Sequence, residues 1–553
     1  MAMLDDHLPL DAPAVEPETR VDLPYADINH PSDGELVERA VLEITGWAAT
    51  ENGPCSRVEL IANGRPIGRA RLGDARPDAV AATGLATALL SGFHARVDLA
   101  ALPWLESVLE LGGIATGIEG ETVPLPVLRL PVAPAAPALE IHARGRTSSR
   151  ARRAGAHLPD REALRLLVCV HELDYNGAPL FLTELLRRMA EQRPLEGLVI
   201  SPRDGPTRED LESIGLEVHV TSPYPLSAPH DYDTRLEELC GWVRGRRFDV
   251  ALANTIVSFP GAELAKRLGL PLMWVIHESY TLPEFWATYG DALHPLVREH
   301  AEATLRQAEL VAFAADATRV LYEPDLPGVP CITLAYGIDV DALDRWRAGF
   351  DRKHGRRLEA IPDDAVVLLC MGSISARKAQ TQLIYAFARI AERHPQAMLL
   401  IVGARPDTDA GLARQAVALH GLEHRVRIMP VVSDPRPLYG IADLLVSSSD
   451  VESVPRSMLE AMALGIPIVA TGVFGVSELL TDRQTAWLFE PRDVSAMARA
   501  LDRVLSLDPA ERAAVARRAR AVVETDYRSD VCSREWLRAL EGVAATTRTG
   551  VPG

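Results

Sequence analysis

Two tandem series of strand-length apolar runs, each alternating with helix-spaced segments, set what this chain can fold into. The first opens near residue 161. LRLLVCV is followed by NGAPLFLTELLRRMAEQ, whose apolar residues recur at helical spacing, and then by GLVIS, LEVHV, FDVALAN and LPLMWVIH. The second opens near 365 with AVVLLCMGS, QTQLIYAFARIAERH and AMLLIVGA, and continues through LARQAVALHG, VRIMPVV, LLVSSS, PRSMLEAMALG and PIVATG. A strand–helix–strand rhythm implies a parallel sheet with helices on its faces. Two such units predict an α/β chain of two Rossmann-like lobes, expected at 161–345 and 346–543. A ligand cleft is expected where the carboxyl ends of their strands meet. A helical stretch over about 510–543 is expected to finish the second lobe, with 544–553 as a loose tail.

The residues before 161 have a different texture. AVLEITGWAA, SRVELIANGRPIGRARL and FHARVDLAAL alternate apolar and polar positions, broken by turn signals, so a small all-β sandwich is expected over 21–133. Asn63-Gly64 between two such runs reads as a two-residue hairpin turn with positive φ. Residues 1–20 are rich in proline and acids and read as disordered. Residues 134–160 read as a Pro/Arg-rich linker. Arg144, Arg146, Arg150, Arg152 and Arg153 make it basic, which fits either a solvated linker or peripheral contact with anionic lipid.

Charge and cysteine usage narrow the class. With 58 Lys and Arg against 76 Asp and Glu, the formal net charge is −18, which argues against a nucleic-acid partner. The six cysteines form no CxxC pair, and several sit in apolar runs such as LLVCV and LLCMG. That pattern predicts buried thiols, no disulfide framework, no zinc site and a reducing compartment. The N-terminal segment has no apolar signal core, and no uninterrupted apolar run reaches eighteen residues. A cytoplasmic location is therefore expected.

The segment with the most chemical content is SSSDVESVPRSMLEAMALGIPIVATGVFGVSELL. Glu452 and Glu460 are separated by seven residues. Ser453 is expected to cap a helix, with Pro455 in its first turn and Gly465 as its stop. Glu452 then lies just before the helix and Glu460 within it, with the cap and Glu460 ~10 Å apart at 1.5 Å rise per residue. That is about the span from sugar ring to ribose in a folded nucleotide sugar, and the helix start between them offers free N–H groups to a diphosphate. On spacing alone, two Glu at a surface helix start also read as an ordinary solvated pair.

Three further places draw attention. In LLCMGSISARKAQTQLIYAFARI, a strand ends at Gly372 and Ser373, and Arg377 and Lys378 stand in the loop before a helix. Fixed cations there would stabilise a departing diphosphate. In MWVIHESYTLPEFW, His277 and Glu278 follow an apolar strand, so they face the expected cleft. In CVHELDYNGAPLFLTELL, Asn176, Gly177 and Ala178 lie between the first strand and first helix of the first lobe, where glycine lets backbone approach a ligand. Asn254, after the strand in LANT, is a further cleft candidate.

The run ESVPRSMLEAMALGIPIVAT resembles the donor-site signature of glycosyltransferase family 4, whose members have the GT-B fold and retain anomeric configuration. The resemblance extends over about 160–540. It implies that Glu452 contacts the donor sugar, with Ser453 and Val454 beside it, and that Glu460 holds the ribose. It assigns Arg377 and Lys378 to the diphosphate and His277 to the reacting sugar. GVFGVSELL resembles the family's Gly-Gly-x-x-Glu stretch and carries Gly475 and Glu478 into the donor site, although Phe474 replaces its first glycine. Asn176, Gly177, Ala178, Asn254 and Glu278 fall on the acceptor side. Two departures stand in the Arg-x-x-x-x-Lys-Gly segment, where Ser373 replaces the usual Arg and Ala379 the usual Gly. Arg377 is expected to supply the missing guanidinium. GWAA, NGRPIG, ARPD and SGFHARVDL in turn resemble an Ig-like module fused to bacterial glycosyltransferases.

The Asp-x-Asp strings at Asp231/Asp233, Asp339/Asp341 and Asp407/Asp409 lie away from the motifs above, so no metal site is expected. No GxGxxG follows the first strand of either lobe, which disfavours NAD. The resemblance implies a hexosyltransferase that needs no cofactor. It would take a nucleotide-diphosphate sugar and a glycan or lipid-linked hydroxyl acceptor, in polysaccharide or glycolipid assembly. An inactive GT-B scaffold, a carbohydrate-binding protein and another GT-B sugar-nucleotide enzyme remain open.

Overall fold

A computed structural model describes residues 26–133 and 163–546, except 38–40, 51, 52, 84, 86, 87, 90, 100, 101, 103, 104, 106, 118, 119 and 291. The segment expected to be a disordered N-terminus, the basic linker and the last residues of the tail lie outside the described residues. The chain divides into two compact units, residues 1–139 and 140–553.

Among the described residues the first unit is mostly β, with the short helix Pro77–Thr83 and brief helical turns at 88–89 and 99. One antiparallel sheet is formed by β1 (Ala26–His30), β2 (Val41–Thr50), β3 (Gly53–Pro54), β6 (Arg71–Asp74) and β7 (Gly92–Asp98), in the order β1-β2-β7-β6 with β3 on β2. The other orders as β5-β4-β8-β9, from β4 (Arg57–Ala62), β5 (Arg65–Arg69), β8 (Val108–Thr116) and β9 (Thr122–Pro131). Alternation, interrupted at bulges such as that between Leu111 and Gly113, gives each sheet one apolar face. Ile44 and Phe93 of one sheet and Leu60, Leu111 and Leu130 of the other share one core. Asn63 and Gly64, at φ 47° and 73°, make the expected two-residue turn between β4 and β5.

The second unit holds two parallel sheets. In the first lobe, β10 (Leu164–Cys169), β11 (Leu195–Ser201), β12 (Leu216–Val220), β13 (Val250–Asn254), β14 (Leu272–Ile276), β15 (Leu310–Phe313) and β16 (Cys331–Thr333) order as β12-β11-β10-β13-β14-β15-β16. In the second, β17 (Val366–Met371), β18 (Ala397–Ala404), β19 (Val426–Pro430), β20 (Leu444–Ser447), β21 (Ile468–Thr471) and β22 (Trp487–Phe489) order as β19-β18-β17-β20-β21-β22. The central strands are covered on both faces, so they are continuously apolar: every residue of β13, β14 and β18 is buried. Strand order reverses between β10 and β13 and again between β17 and β20, so each sheet has a crevice at the carboxyl ends of those pairs.

One expectation needs correcting. The last helical stretch is two helices, Pro509–Asp526 and Ser529–Thr546, and the second packs on the first lobe instead of finishing the second. Its apolar face covers the helix Gly177–Ala190. Trp536 is fully buried against Phe181 with ring centroids 5.3 Å apart, and its indole N–H donates to the Ala335 carbonyl at 2.9 Å. Arg193 pairs with Glu541 at 2.6 Å. None of the described helices is long and apolar enough to cross a membrane.

Candidate functional site

The crevices of the two lobes open into one cavity of about 620 Å3, within the range that holds a cofactor-sized ligand. From the first lobe it is lined by Asn176 in the loop after β10, by Gly177 and Ala178, which open the following helix instead of lying before it, and by His277 and Glu278 after β14. From the second lobe come Gly372 and Ser373 after β17, Arg377 and Lys378 before the helix Gln380–Ala391, and the loop after β20. That loop contributes Glu452, Ser453 and Val454, and Glu460 follows from the helix Arg456–Ala463. Gly403, next to the last residue of β18, has φ 123°, and a Cβ there would lie 2.4 Å from the Gly372 carbonyl. Only glycine lets these two strand ends come so close beside the cavity.

The turn Ala376–Lys378 is tied to the loop after β20 by several contacts. The Lys378 ammonium pairs with Glu452, which also accepts the Ser449 hydroxyl at 2.9 Å. The Lys378 carbonyl accepts Ser448 Oγ at 2.7 Å, and the Arg377 carbonyl accepts the Asp450 N–H at 2.8 Å. The Arg377 guanidinium donates to the Val451 carbonyl at 3.2 Å. Burial alone would raise the Glu452 carboxyl, but Lys378 and Arg377 outweigh it and hold it below the usual range. Burial pulls the Lys378 ammonium down, with Glu452 opposing.

Glu460 accepts the Arg456 guanidinium at 2.8 Å. Arg456 also reaches across to Glu184 of the first lobe at 2.5 Å and to the Tyr336 hydroxyl. Burial alone would lower Arg456; Tyr336, Glu184 and Glu460 together drive it well above its ordinary value. The sequence reading missed Arg456, although its place four residues before Glu460 on a helix is the signal for such a pair.

Three expectations for this lobe are corrected. Ser453 does not cap the helix. Pro455 stands at the N-cap position, with no side chain on the first N–H groups, and Ser453 Oγ instead accepts the Thr318 hydroxyl at 3.1 Å. The proline's fixed φ sets the helix start in place of a hydroxyl cap. Gly475 does not line the cavity. It packs where a Cβ would lie 2.3 Å from the Ser453 carbonyl, so it serves close backbone approach. Glu478 does not line it either, since its carboxylate accepts the Asp316 N–H at 3.0 Å and the Ala317 N–H, capping a first-lobe helix. Ala379 and Phe474, which replace family glycines, both have positive φ, at 53° and 41°. The family's glycines are thus explained by backbone conformation, and each replacement costs ~1 kcal/mol.

In the first lobe, Asn254 is fully buried behind the wall instead of lining the cleft. Its Nδ2 donates to the Ala178 carbonyl at 3.0 Å, which turns Oδ1 toward His277 Nε2 at 2.8 Å. Nε2 therefore carries the His277 proton and Nδ1 is left as an acceptor. Burial, then the neighbouring His171, pulls His277 down to about 4, so it is neutral at pH 7. Phe181 meets its ring edge-to-face at 4.8 Å. Glu278 accepts the N–H groups of His277 at 3.0 Å and Ile256 at 3.3 Å; burial raises its carboxyl while these amides oppose.

The Asp-x-Asp strings have other partners. Asp339 caps the helix Val340–Gly349 and pairs with Arg188, Asp341 pairs with Arg528 at 2.7 Å, and Asp407 caps the helix Thr408–Leu419. Asp233 comes within ligand distance of Glu263 and His300, but Arg267 donates to both carboxylates at 2.6 Å and supplies the cation itself.

Comparison with known proteins agrees with this geometry. Residues 351–522 match the sequence model of "Glycosyl transferases group 1", and residues 176–324 match "Glycosyl transferase 4-like domain". Together the matches span more than half of the chain. The chain belongs to the family 4-like GT-B glycosyltransferases. This glycosyltransferase is 28% identical to a D-inositol 3-phosphate glycosyltransferase of Geodermatophilus obscurus over 406 residues, 69% of this chain and 88% of that one. Over 120 residues, 22% of this chain and 29% of the relative, it is 33% identical to the putative colanic acid biosynthesis glycosyltransferase WcaL of Escherichia coli K12. Among solved structures, Anabaena Alr3699/HepE in complex with UDP-glucose has a TM-score of 0.58 at 20% identity, covering 70% of this chain and all of that one. Sucrose-phosphate synthase of Thermosynechococcus elongatus also scores 0.58, at 18% identity with the same coverage. These two likenesses show the fold.

Proposed function

We propose that this glycosyltransferase moves a hexosyl group from a nucleotide-diphosphate sugar to a hydroxyl acceptor with retention of configuration and without a metal. The observation that carries the reading is the placement of Glu452, Glu460, Arg377 and Lys378 around one cavity. Glu460 takes the ribose, Arg377 and Lys378 take the diphosphate beside the uncapped helix start at Arg456, and Glu452 takes the sugar hydroxyls. The fixed cations supply the charge a metal would otherwise bring, and Asp339, Asp341, Asp407 and Asp233 are engaged elsewhere in the fold. His277 Nδ1 accepts a sugar hydroxyl. As the bond from the anomeric carbon to phosphate opens, the acceptor oxygen bonds to that carbon on the same face, and its proton passes to the leaving phosphate. That Alr3699/HepE was solved with UDP-glucose supports a UDP-sugar donor, and the relatives' names, which mention D-inositol 3-phosphate and colanic acid biosynthesis, support a polyol or glycan acceptor. Polysaccharide or glycolipid assembly is the setting this reading expects.

The test is a thermal-shift panel of UDP-, GDP- and ADP-sugars, with and without EDTA, followed by NMR of the transfer product. An α-linked sugar should give an α-linked product, undiminished by EDTA. An inverted product refutes retention, and loss of activity in EDTA refutes metal independence. Slow donor hydrolysis that persists in Glu452→Ala favours a scaffold over a transferase.

A further inference from the structure

The two walls of the cavity differ in chemistry. Among the described residues, each arginine or lysine lining it (Arg377, Lys378 and Arg456) comes from the second lobe. The first-lobe wall brings the carboxylate of Glu278 and, two residues on, an aromatic step made by Tyr280, Phe285 and Tyr289. Tyr280 and Tyr289 meet edge-to-face with centroids 5.8 Å apart and hydroxyls 3.4 Å apart, and Phe285 backs Tyr289 at 5.1 Å. Tyr289 keeps 45% of its surface exposed, whereas Phe285 is fully buried, so the step has a fixed foundation and an open face. Its geometry is set locally. The helix Leu282–Tyr289 opens with a capping box in which the Thr281 hydroxyl accepts the Glu284 N–H and the Glu284 carboxylate accepts the Thr281 N–H at 2.9 Å.

The step stands opposite the diphosphate side. Arg377 lines the same cavity from the second lobe as Tyr280, Tyr289 and Glu278 line from the first, and these groups lie near enough to bear on its charge. An acceptor placed between these groups would have its hydroxyl near the bond that breaks. The open Tyr289 face suits the C–H face of a sugar ring or an apolar aglycone, with the acceptor's hydroxyls directed to the Glu278 carboxylate and the Tyr280 phenol. A phosphorylated acceptor at the same place would bring its charge against Glu278 with, among the described residues, no first-lobe arginine or lysine in the lining to meet it.

We propose that the acceptor is an uncharged ring-bearing alcohol, such as a neutral glycoside with an apolar aglycone, seated on Tyr289 and Tyr280, and not a phosphorylated sugar or polyol. This rests on the donor reading above and names the substrate class of its other half.

The experiment uses the full chain saturated with whichever nucleoside diphosphate most raises Tm. p-Nitrophenyl hexosides are titrated against the matching hexose 1-phosphates and inositol phosphates, with saturation-transfer NMR as readout. A neutral glycoside should bind about tenfold tighter than its phosphorylated counterpart. Y289A should lose that binding, and Y289F should keep it. The proposal is overturned if the phosphates bind as tightly, if no neutral glycoside binds, if Y289A changes nothing, or if Y289F loses binding and so shows a hydroxyl contact instead of stacking. If no nucleoside diphosphate raises Tm, the donor reading fails first, and this inference falls with it.

Discussion

Replacing Glu452 by Gln should separate nucleotide binding from sugar transfer. Lys378 already has a counter-charge in Glu452, and Arg377 feels the same carboxylate. A diphosphate arriving at these cations therefore competes with Glu452 for them. The glutamine keeps an oxygen for the Ser449 hydroxyl, which donates to Glu452 at 2.9 Å, but removes the charge. A hydrogen bond to a charged group is worth ~1.5–3 kcal/mol. If the wild type gives up about half of one such contact when the diphosphate binds, free UDP or GDP should bind E452Q ~1 kcal/mol tighter, roughly fivefold. The same change removes the anionic acceptor for the sugar's hydroxyls, so kcat/KM should fall by ~10–150-fold. Isothermal titration calorimetry with the nucleoside diphosphate, beside steady-state transfer or donor hydrolysis, reads both. A parallel fall in nucleotide affinity and activity would refute the reasoning, because Glu452 would then merely hold the loop. Unchanged activity would refute it as well.

Other consequences follow from single contacts. Asn254→Ala leaves the His277 N–H and the Ala178 carbonyl without their partner, so stability should fall by ~1–3 kcal/mol in urea titrations and kcat should fall, while nucleotide affinity holds. His277 is held neutral in the fold down to about 4, below its ordinary 6.5, so the unfolded chain binds the extra proton first. Stability from this group is complete above pH 6.5 and declines as pH falls toward 4. The loss is at most ~3 kcal/mol, less for the part of the ring that meets solvent, and His277→Gln should remove that slope from the pH dependence of the urea midpoint. Arg456→Met strands the Glu184 and Glu460 carboxylates, which are 12% and 11% exposed, and should cost ~3 kcal/mol by chemical denaturation. Trp536→Ala should cost ~3–5 kcal/mol, since that ring closes the first-lobe core against Phe181; an unchanged urea midpoint would show the last helix to be dispensable there.

The parallel sheets were legible because burial on both faces forces runs such as LMWVI and AMLLIVGA to be apolar throughout, a pattern no surface strand needs. Several residues that line the cavity were legible for a related reason. Groups that serve the crevice must follow the ends of β14, β17 and β20, and His277, Gly372 and Glu452 do. What was not legible depended on contacts between segments distant in sequence. Glu478 looks like a site residue by spacing, and only the fold shows its carboxylate on the Asp316 and Ala317 amides, 162 and 161 residues away. Asn254 sits at a strand end, yet its side chain turns inward, because the Ala178 carbonyl and His277 offer it partners there. The return of the helix Ser529–Thr546 to the first lobe leaves no local trace, since an apolar stripe does not say which core it will cover. Arg456 was readable as a helical partner of Glu460, but its reach to Glu184 spans 272 residues.

The central claim is that one crevice between the lobes holds an activated sugar by its two ends. A crystal structure of the protein soaked with UDP-glucose or a GDP-hexose tests this most directly. The account predicts pyrophosphate oxygens within ~3 Å of the Arg377 and Lys378 nitrogens, with the ribose hydroxyls on Glu460 and the hexose against Glu452. A nucleotide bound elsewhere, or lying in the crevice with its pyrophosphate turned away from Arg377 and Lys378, would contradict it.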